Sequence, residues 1–376
     1  MRKLYYGLLL AVVLGMFAPL ASAQQQGKKM QVYGVAFYNL ENLFDTIHDA
    51  GKNDYEYLPD GVNKWTGMKY KAKLHNMAKV ISELCTDKLP GGPAVVGLSE
   101  VENDRVLTDL LAQPSLSGRG WKFVDYPGVD RRGVECAFLY NPRLFTLESS
   151  MIVPYYYYYG RPGEPDPGLG FTVSPEGRVE ARTELRGDTS YITRGFLVMN
   201  GHLAGERMIF IVNHWPSRAA ASPVRERAGY QVRCLKDALM KQYPEAKIVI
   251  MGDMNDDPRD KSMTEGLACL HRQKDVKRPS DLFNPWWDML YRVGQGTLMW
   301  DGKWNLFDQI VFTGNLLGTD RSTLKYLRGE VFMRDYLFQT EGRYKGNPKR
   351  THAGGVWLNG YSDHLPTCIY LVKEKP

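Results

Sequence analysis

The chain has 376 residues, of which 43 % are apolar and 24 % charged. Those proportions are ordinary for a globular protein, and the length holds one large α/β domain or two smaller ones. No repeat and no second long apolar run is present, which argues against solenoid and multi-span membrane architectures; the net charge of +6 favours acidic partners such as nucleic acid without proving one.

The first residues read as an export signal. Arg2 and Lys3 start it, an apolar stretch from Leu4 to Leu20 follows, and Ala21-Ser22-Ala23 is a small-x-small cleavage site. This predicts a secretory signal over residues 1–23, a mature chain beginning near Gln24, and a periplasmic or extracellular destination. Loss of Arg2 and Lys3 lowers the formal charge from +6 to +4. No cysteine follows the site to take a lipid.

Val32 to Tyr38 reads as the first strand and delivers Asn39 and Glu41 at its end. Tyr70, Leu74, Met77, Ala78, Ile81 and Leu84 follow helical spacing, which predicts an amphipathic helix with its lysines outside. Pro90-Gly91-Gly92-Pro93 breaks the chain. Ala94 to Leu98 is a buried strand ending at Ser99-Glu100. Further strands are read at Cys136–Tyr140, Gly195–Met199, Met208–Val212, Lys247–Met251, Ile310–Phe312 and Thr367–Leu371. A second helix lies before Lys247, with Ser222 as N-cap and Pro223 at its first position. Strands interleaved with few helices imply stacked sheets covered by helices, and with no linker between the halves, residues 24–376 read as one domain.

Pro154–Ser190 and Gly342–Gly355 look like insertions. The first opens on five tyrosines, Tyr155 to Tyr159, read as an edge strand with one packed face; base stacking is the minority alternative. The second is basic, with Arg343, Lys345, Lys349 and Arg350, and reads as a solvated loop that could also track a phosphate backbone. The five cysteines are far apart and show no zinc spacing, so most read as small buried hydrophobes.

Several polar residues fall at strand ends. Glu100 suits a hard metal ion, whereas Glu102 reads as surface. Asp253 and Asn255 would share a face if the strand stays extended; the alternative is an Asx turn. Asp256 and Asp257 read as turn residues. His214 sits in a turn with Ser217 and Arg218, which would suit phosphate. Asp363 and His364 are adjacent and would point apart, so each needs another partner; Asp308 is the candidate orienter for His364. Imidazoles, carboxylates and an amide together match the demands of phosphoester hydrolysis: charge neutralisation, water activation and leaving-group protonation.

Asn39-Leu40-Glu41-Asn42-Leu43-Phe44, Gly97 to Asn103, Val212-Asn213-His214, Gly252-Asp253-Met254-Asn255 and Ser362-Asp363-His364 occur in this order along nearly the whole mature chain. The set resembles the endonuclease/exonuclease/phosphatase superfamily, the deoxyribonuclease I-like fold, and most closely its secreted bacterial nuclease branch. The resemblance implies an α/β, four-layer α-β-β-α sandwich of two packed mixed β-sheets with helices outside. It implies Mg²⁺, with Ca²⁺ or Mn²⁺ as further candidates. It makes Glu100 the main metal ligand, puts Asn39 and Glu41 on the metal side, and places Asp363 in the metal and hydrogen-bond network. His214 and His364 become acid–base groups flanking the scissile phosphate, oriented by Glu135 and Asp308 respectively. Asp253 and Asn255 contact phosphate or position the attacking water. Thr193-Arg194-Gly195 resembles a phosphate-contacting segment. Arg218 stands where many relatives carry lysine, which changes donor geometry.

The expected activity is a secreted, metal-dependent endonuclease acting on DNA or RNA. The alternative is a phospholipid, sphingomyelin or inositol-phosphate phosphoesterase recognising a phosphorylated head group. A non-catalytic binding protein ranks last, because no chemistry-bearing position is lost. No protein partner is expected, and the chain is expected to be a monomer.

Overall fold

The computed structural model describes residues 29–156, 166, 168–183 and 192–375. The export signal and Tyr157 to Tyr159 lie outside those residues. The labelled elements are β1 (Met30–Leu43), α1 (Gly67–Glu83), β2 (Val95–Val101), α2 (Asp104–Leu111), β3 (Lys122–Val124), β4 (Glu135–Tyr140) and β5 (Phe145–Tyr156). They continue as β6 (Ile192–Leu203), β7 (Glu206–His214), α3 (Ser222–Gln242), β8 (Lys247–Asp253), β9 (Cys269–Leu270), β10 (Leu282–Phe283), β11 (Asp308–Thr313), β12 (Lys325–Val331) and β13 (Thr367–Glu374).

Two mixed sheets are stacked. One has six strands in the order β12-β13-β1-β2-β4-β3, and the other seven in the order β9-β10-β11-β8-β7-β6-β5. The parallel pairs β1–β2 and β7–β8 lie near the centre of each sheet and are buried on both faces, so they read as continuous apolar runs. Phe138 of the first sheet meets Phe210 of the second edge-to-face at 6.5 Å. α1 covers the first sheet with Tyr70, Leu74, Met77, Ala78 and Ile81. α3 covers the second, packing Val224, Ala228, Val232, Leu235 and Leu239 against Ile209, Ile211, Ile248 and Ile250. The expected four-layer sandwich is present.

Some local expectations change. Lys73 on α1 is 2 % exposed, not solvated, because its ammonium donates to Thr351 Oγ1 and the Tyr361 carbonyl, both at 2.6 Å. Glu102 is also buried, accepting the Asp45 amide at 2.7 Å. Ala221, not Ser222, precedes the first turn of α3, and Ser222-Pro223 opens the helix. Asp256 and Asp257 do more than turn the chain: Asp256 pairs with Arg225 and accepts from Ser262, and Asp257 accepts the Leu306 amide. The tyrosine run begins on β5, an edge strand, where Tyr155 and Tyr156 are buried and the Tyr155 hydroxyl donates to the Val224 carbonyl. All five cysteines carry free thiols; Cys85, Cys136, Cys269 and Cys368 are buried and Cys234 is half-buried.

Candidate active site

The site forms where β1, β2, β7 and β8 run out at the same end of the two sheets. Two of these strands bulge there. The β1–β2 register shifts between Asn39 and Leu43, and the β2–β4 register shifts between Ser99 and Val101. Glu41, Asn42 and Glu100 consequently have positive φ, 48°, 58° and 60°. Non-glycine residues adopt this conformation at a cost of about 1–3 kcal/mol each, and they concentrate where a side chain must be re-aimed. Here the bulge turns Glu100 toward the second sheet.

An amide joins the carboxylates. Asn39 Oδ1 accepts the Glu41 amide at 2.9 Å, which fixes the amide's orientation. Its Nδ2 then donates to Glu100 Oε1 at 3.3 Å and to Asp253 Oδ2 at 3.1 Å. Glu100 Oε2 accepts the Asn42 amide at 2.9 Å. Asp253 Oδ2 is the hub: His214 Nε2, at the end of β7, lies 3.7 Å away and His364 Nε2, in the loop before β13, lies 3.8 Å away. Glu100 Oε1 is also 3.7 Å from His214 Nε2.

The two imidazoles sit in opposite electrostatic settings. Burial lowers the His214 pKa well below the usual value, and the Arg194, Arg132 and His364 charges lower it further. Burial also disfavours charge on His364, but the Asp308 and Asp253 carboxylates outweigh it and raise that pKa well above the usual value. Asp308, itself fully buried, meets His364 Nδ1 at 2.7 Å. The two shifts run in opposite directions, His214 toward its neutral form and His364 toward its protonated form, a division that suits one base and one acid. Burial, with the Asp308 and Glu100 charges, lifts Asp253 to about 7 although His364 and the Asn255 amide oppose it.

Two sets of donors could hold a cation, Glu100 with His214 and Asp253, and Asp253 with Asp308 and His364. Carboxylates crowded at low exposure, one of them driven toward its neutral form by burial and like charge, fit a divalent ion that would restore the charged state. Asn39 differs from the ligand expected of it, since it turns N–H rather than oxygen toward the centre.

Other predicted residues take different places. Glu135 does not reach His214: its nearest cation is Lys52 at 3.8 Å, and His214 Nδ1 has no hydrogen-bond partner among the described residues. The cause is local, because the Glu135 carboxylate fills the space left by Gly128, whose Cβ would lie 1.8 Å from Oε2. Asn255 leaves the extended line at φ 51°, and its amide closes an Asx turn on Asp253 Oδ1 at 2.9 Å; its Nδ2 donates to the Trp215 carbonyl. Arg194 is buried behind His214, donating to the His214 and Trp215 carbonyls at 3.1 and 3.3 Å and to Asp130 at 2.8 Å. It braces the histidine turn where a phosphate contact was expected. Arg218 likewise holds the Asn255 carbonyl and Asp260, at 3.1 and 3.0 Å, and lies over the Phe307 ring. Glu41 and Asp363 share Arg350, at 3.0 and 2.8 Å, and Thr351 N donates to the other Glu41 oxygen.

Asp130, Lys73 and the hairpin Leu298–Trp300/Lys303–Asn305 were not foreseen. Just before that hairpin, Thr297 Oγ1 accepts the Asp308 amide and Thr297 O accepts the Leu365 amide, so one residue sets both partners of the His364 pair. Nothing in their sequence neighbourhood marks them; only the long-range packing does.

No curated protein sequence matches the chain. Among solved structures it is similar to an endonuclease/exonuclease/phosphatase family protein from Bacteroides thetaiotaomicron, at 16 % identity and TM-score 0.52 over 92 % of this chain and 96 % of that one. It is also similar to a mannosyl-6-phosphatase of the same organism, at 15 % identity and TM-score 0.50 over 90 % and 99 %. The D. rerio TDP2 structure complexed with single strand DNA product aligns at 12 % identity and TM-score 0.48 over 90 % and 98 %. The family model described as "Endonuclease/Exonuclease/phosphatase family" matches residues 34–157 and 171–373. With that match spanning most of the chain, the protein belongs to the endonuclease/exonuclease/phosphatase family.

Proposed function

We propose that the protein is an exported, divalent-metal-dependent phosphodiesterase whose substrate is nucleic acid. Members of its family are phosphoester hydrolases, and that coarser activity follows from membership. The observation that carries the hydrolytic part of this reading is the pair of imidazoles on either side of Asp253, 3.7 and 3.8 Å from its Oδ2 and with opposed pKa shifts; the basic stretch Gly342–Gly355 supports the nucleic-acid substrate. Neutral His214 accepts the proton of the attacking water as its oxygen bonds to phosphorus. Protonated His364 gives its Nε2 proton to the leaving oxygen as the other P–O bond breaks. Asp308 keeps His364 charged, and Asn39 holds Glu100 and Asp253 in register. Glu100 and Asp253 would hold a divalent ion, which would supply charge neutralisation for the phosphoryl group. Export rests on Arg2, Lys3, the apolar run and Ala21-Ser22-Ala23.

The mannosyl-6-phosphatase of similar fold is a reminder that the scaffold alone does not choose a substrate. The test is purified mature protein on plasmid DNA, RNA, sphingomyelin, inositol phosphate and a simple phosphomonoester, with Mg²⁺ and with EDTA. Cleavage of DNA or RNA that EDTA abolishes is expected. Hydrolysis confined to the lipid, inositol or monoester substrates would overturn the nucleic-acid reading.

A further inference from the structure

The basic insertion Gly342–Gly355 contains Arg343, Lys345, Lys349 and Arg350 and no acidic residue. The chain folds it into a strap beside the site. Tyr361 N donates to Lys349 O at 2.6 Å and Leu358 N to Thr351 O at 2.9 Å, fastening the inner end of the strap to the segment that follows it. Gly360 permits the closure, because a Cβ there would lie 2.1 Å from Lys349 O and 2.2 Å from Arg350 O. From below, the buried Lys73 ammonium pins both arms through Thr351 Oγ1 and Tyr361 O. The strap is therefore a built element on a rigid base.

Arg350 is its innermost cation. Nε is held by Glu41 and Nη2 by Asp363, whose Oδ1 is in turn 3.9 Å from His364 Nε2. One carboxylate thus separates the guanidinium from the imidazole. The side chain is 47 % exposed, and Nη1 makes no hydrogen bond among the described residues. Two carboxylates orient the fork and leave its outer edge open, a pre-organised donor array that suits phosphate oxygens. Preceding it along the strap, Arg343, Lys345 and Lys349 form no ion pair among the described residues, and Arg343 and Lys345 are exposed.

We propose that this strap is the track for the phosphate backbone of a nucleic-acid strand, with Arg350 taking the phosphate next to the scissile one and Lys349, Lys345 and Arg343 following it outward. The assignment rests on the nuclease reading and deepens it, because a lipid or sugar phosphate offers no row of neighbouring phosphates for these cations. Backbone tracking leaves a measurable mark, since each cation removed reduces the salt dependence of binding by about 0.7 in the log–log slope for single strands.

The experiment uses the mature protein with Mg²⁺. It compares kcat/KM on a single-stranded oligonucleotide with kcat/KM on bis(p-nitrophenyl) phosphate, which has one phosphate, across a salt series. For Arg343→Gln/Lys345→Gln, the oligonucleotide rate should fall at least tenfold more than the small-diester rate, and the salt slope should flatten by about 1.4. Arg350→Gln should shift the same ratio at least tenfold, with partial recovery in Arg350→Lys. An unchanged ratio and slope in the double variant would overturn the strap assignment while leaving the nuclease reading intact. Failure of the wild type to cleave the oligonucleotide, with the small diester hydrolysed, would overturn the nuclease reading itself.

Discussion

Glu135 gives the sharpest test of the site's electrostatics. It is 4 % exposed, 3.8 Å from the Lys52 ammonium, and its Oε1 has no hydrogen-bond partner among the described residues. Burial pushes its pKa from the ordinary 4.5 to about 8, with Lys52 offsetting only part. In the unfolded chain the group ionises near 4.5, so between pH 4.5 and 8 the folded state holds a proton that the unfolded state has lost. Stability therefore falls as pH rises through that window. At about 1.4 kcal/mol per tenfold change in proton affinity, charging Glu135 in place costs about 5 kcal/mol. Movement of the loop around Gly128 and entry of water reduce this to about 2–5 kcal/mol. Glu135→Gln keeps the shape and never ionises. Urea unfolding in metal-free buffer should show the variant close to wild type at pH 4.5 and more stable by about 2–5 kcal/mol at pH 8.5. A difference that does not change with pH, or a variant less stable at pH 8.5, would refute the reasoning. Either result would mean that an ionised Glu135 finds a partner, and His214 Nδ1 would be the obvious one.

Three further outcomes are expected. His214→Ala and His364→Ala should each lower kcat on the best phosphodiester by about 10²-fold or more, and near-normal turnover in either would remove that histidine from the reaction. Asp308→Asn breaks a buried pair and should cost about 3–5 kcal/mol at pH 6 by denaturant unfolding. Because Asp308 raises the folded pKa of His364, that contribution is full below about pH 6.5 and fades as pH rises through the raised value, so a cost that grows with pH would be inconsistent. Mg²⁺ at a hundred times its dissociation constant should stabilise the wild type by about 2.7 kcal/mol in thermal unfolding, and Glu100→Gln or Asp253→Asn should remove most of that gain. Equal stabilisation in all three proteins would place the ion elsewhere.

Strand-borne polarity is what made much of the site readable from sequence. Asp253, Asp308 and His364 sit directly at the ends of apolar runs, so period and position were enough to suggest that they converge. The same runs mark the central strands of both sheets, whereas the short or polar strands Lys122–Val124, Cys269–Leu270, Leu282–Phe283 and Lys325–Val331 carry too little apolar pattern to be read. What stayed hidden depended on backbone conformation and on contacts between distant segments. The Glu100 and Glu41 bulges need positive φ at ordinary residues, which no local signal announces. The phosphate contact expected of Arg194 came from the resemblance of Thr193-Arg194-Gly195 to a phosphate-contacting segment; its depth is set by Asp130, on a distant loop. Lys73 follows the lysine pattern of a solvated helix face and is buried where Thr351 and Tyr361, distant in sequence, accept its ammonium. The Glu135–His214 pairing carried over from resemblance failed on packing, since Gly128 draws the carboxylate away.

The pairing of β13 with β1 along Met30 to Phe37 has a consequence for the order in which the molecule matures. His364 and Asp363 enter immediately ahead of β13, which must find a strand made at the opposite end of the chain. Contacts of such long sequence separation form late and slowly. Until β13 docks, Asp253 and Glu100 stand in a cleft that lacks His364 and Asp363. A chain that stops before residue 363 therefore carries the carboxylates of Glu100 and Asp253 but not the Asp308–His364 pair that the full site contains.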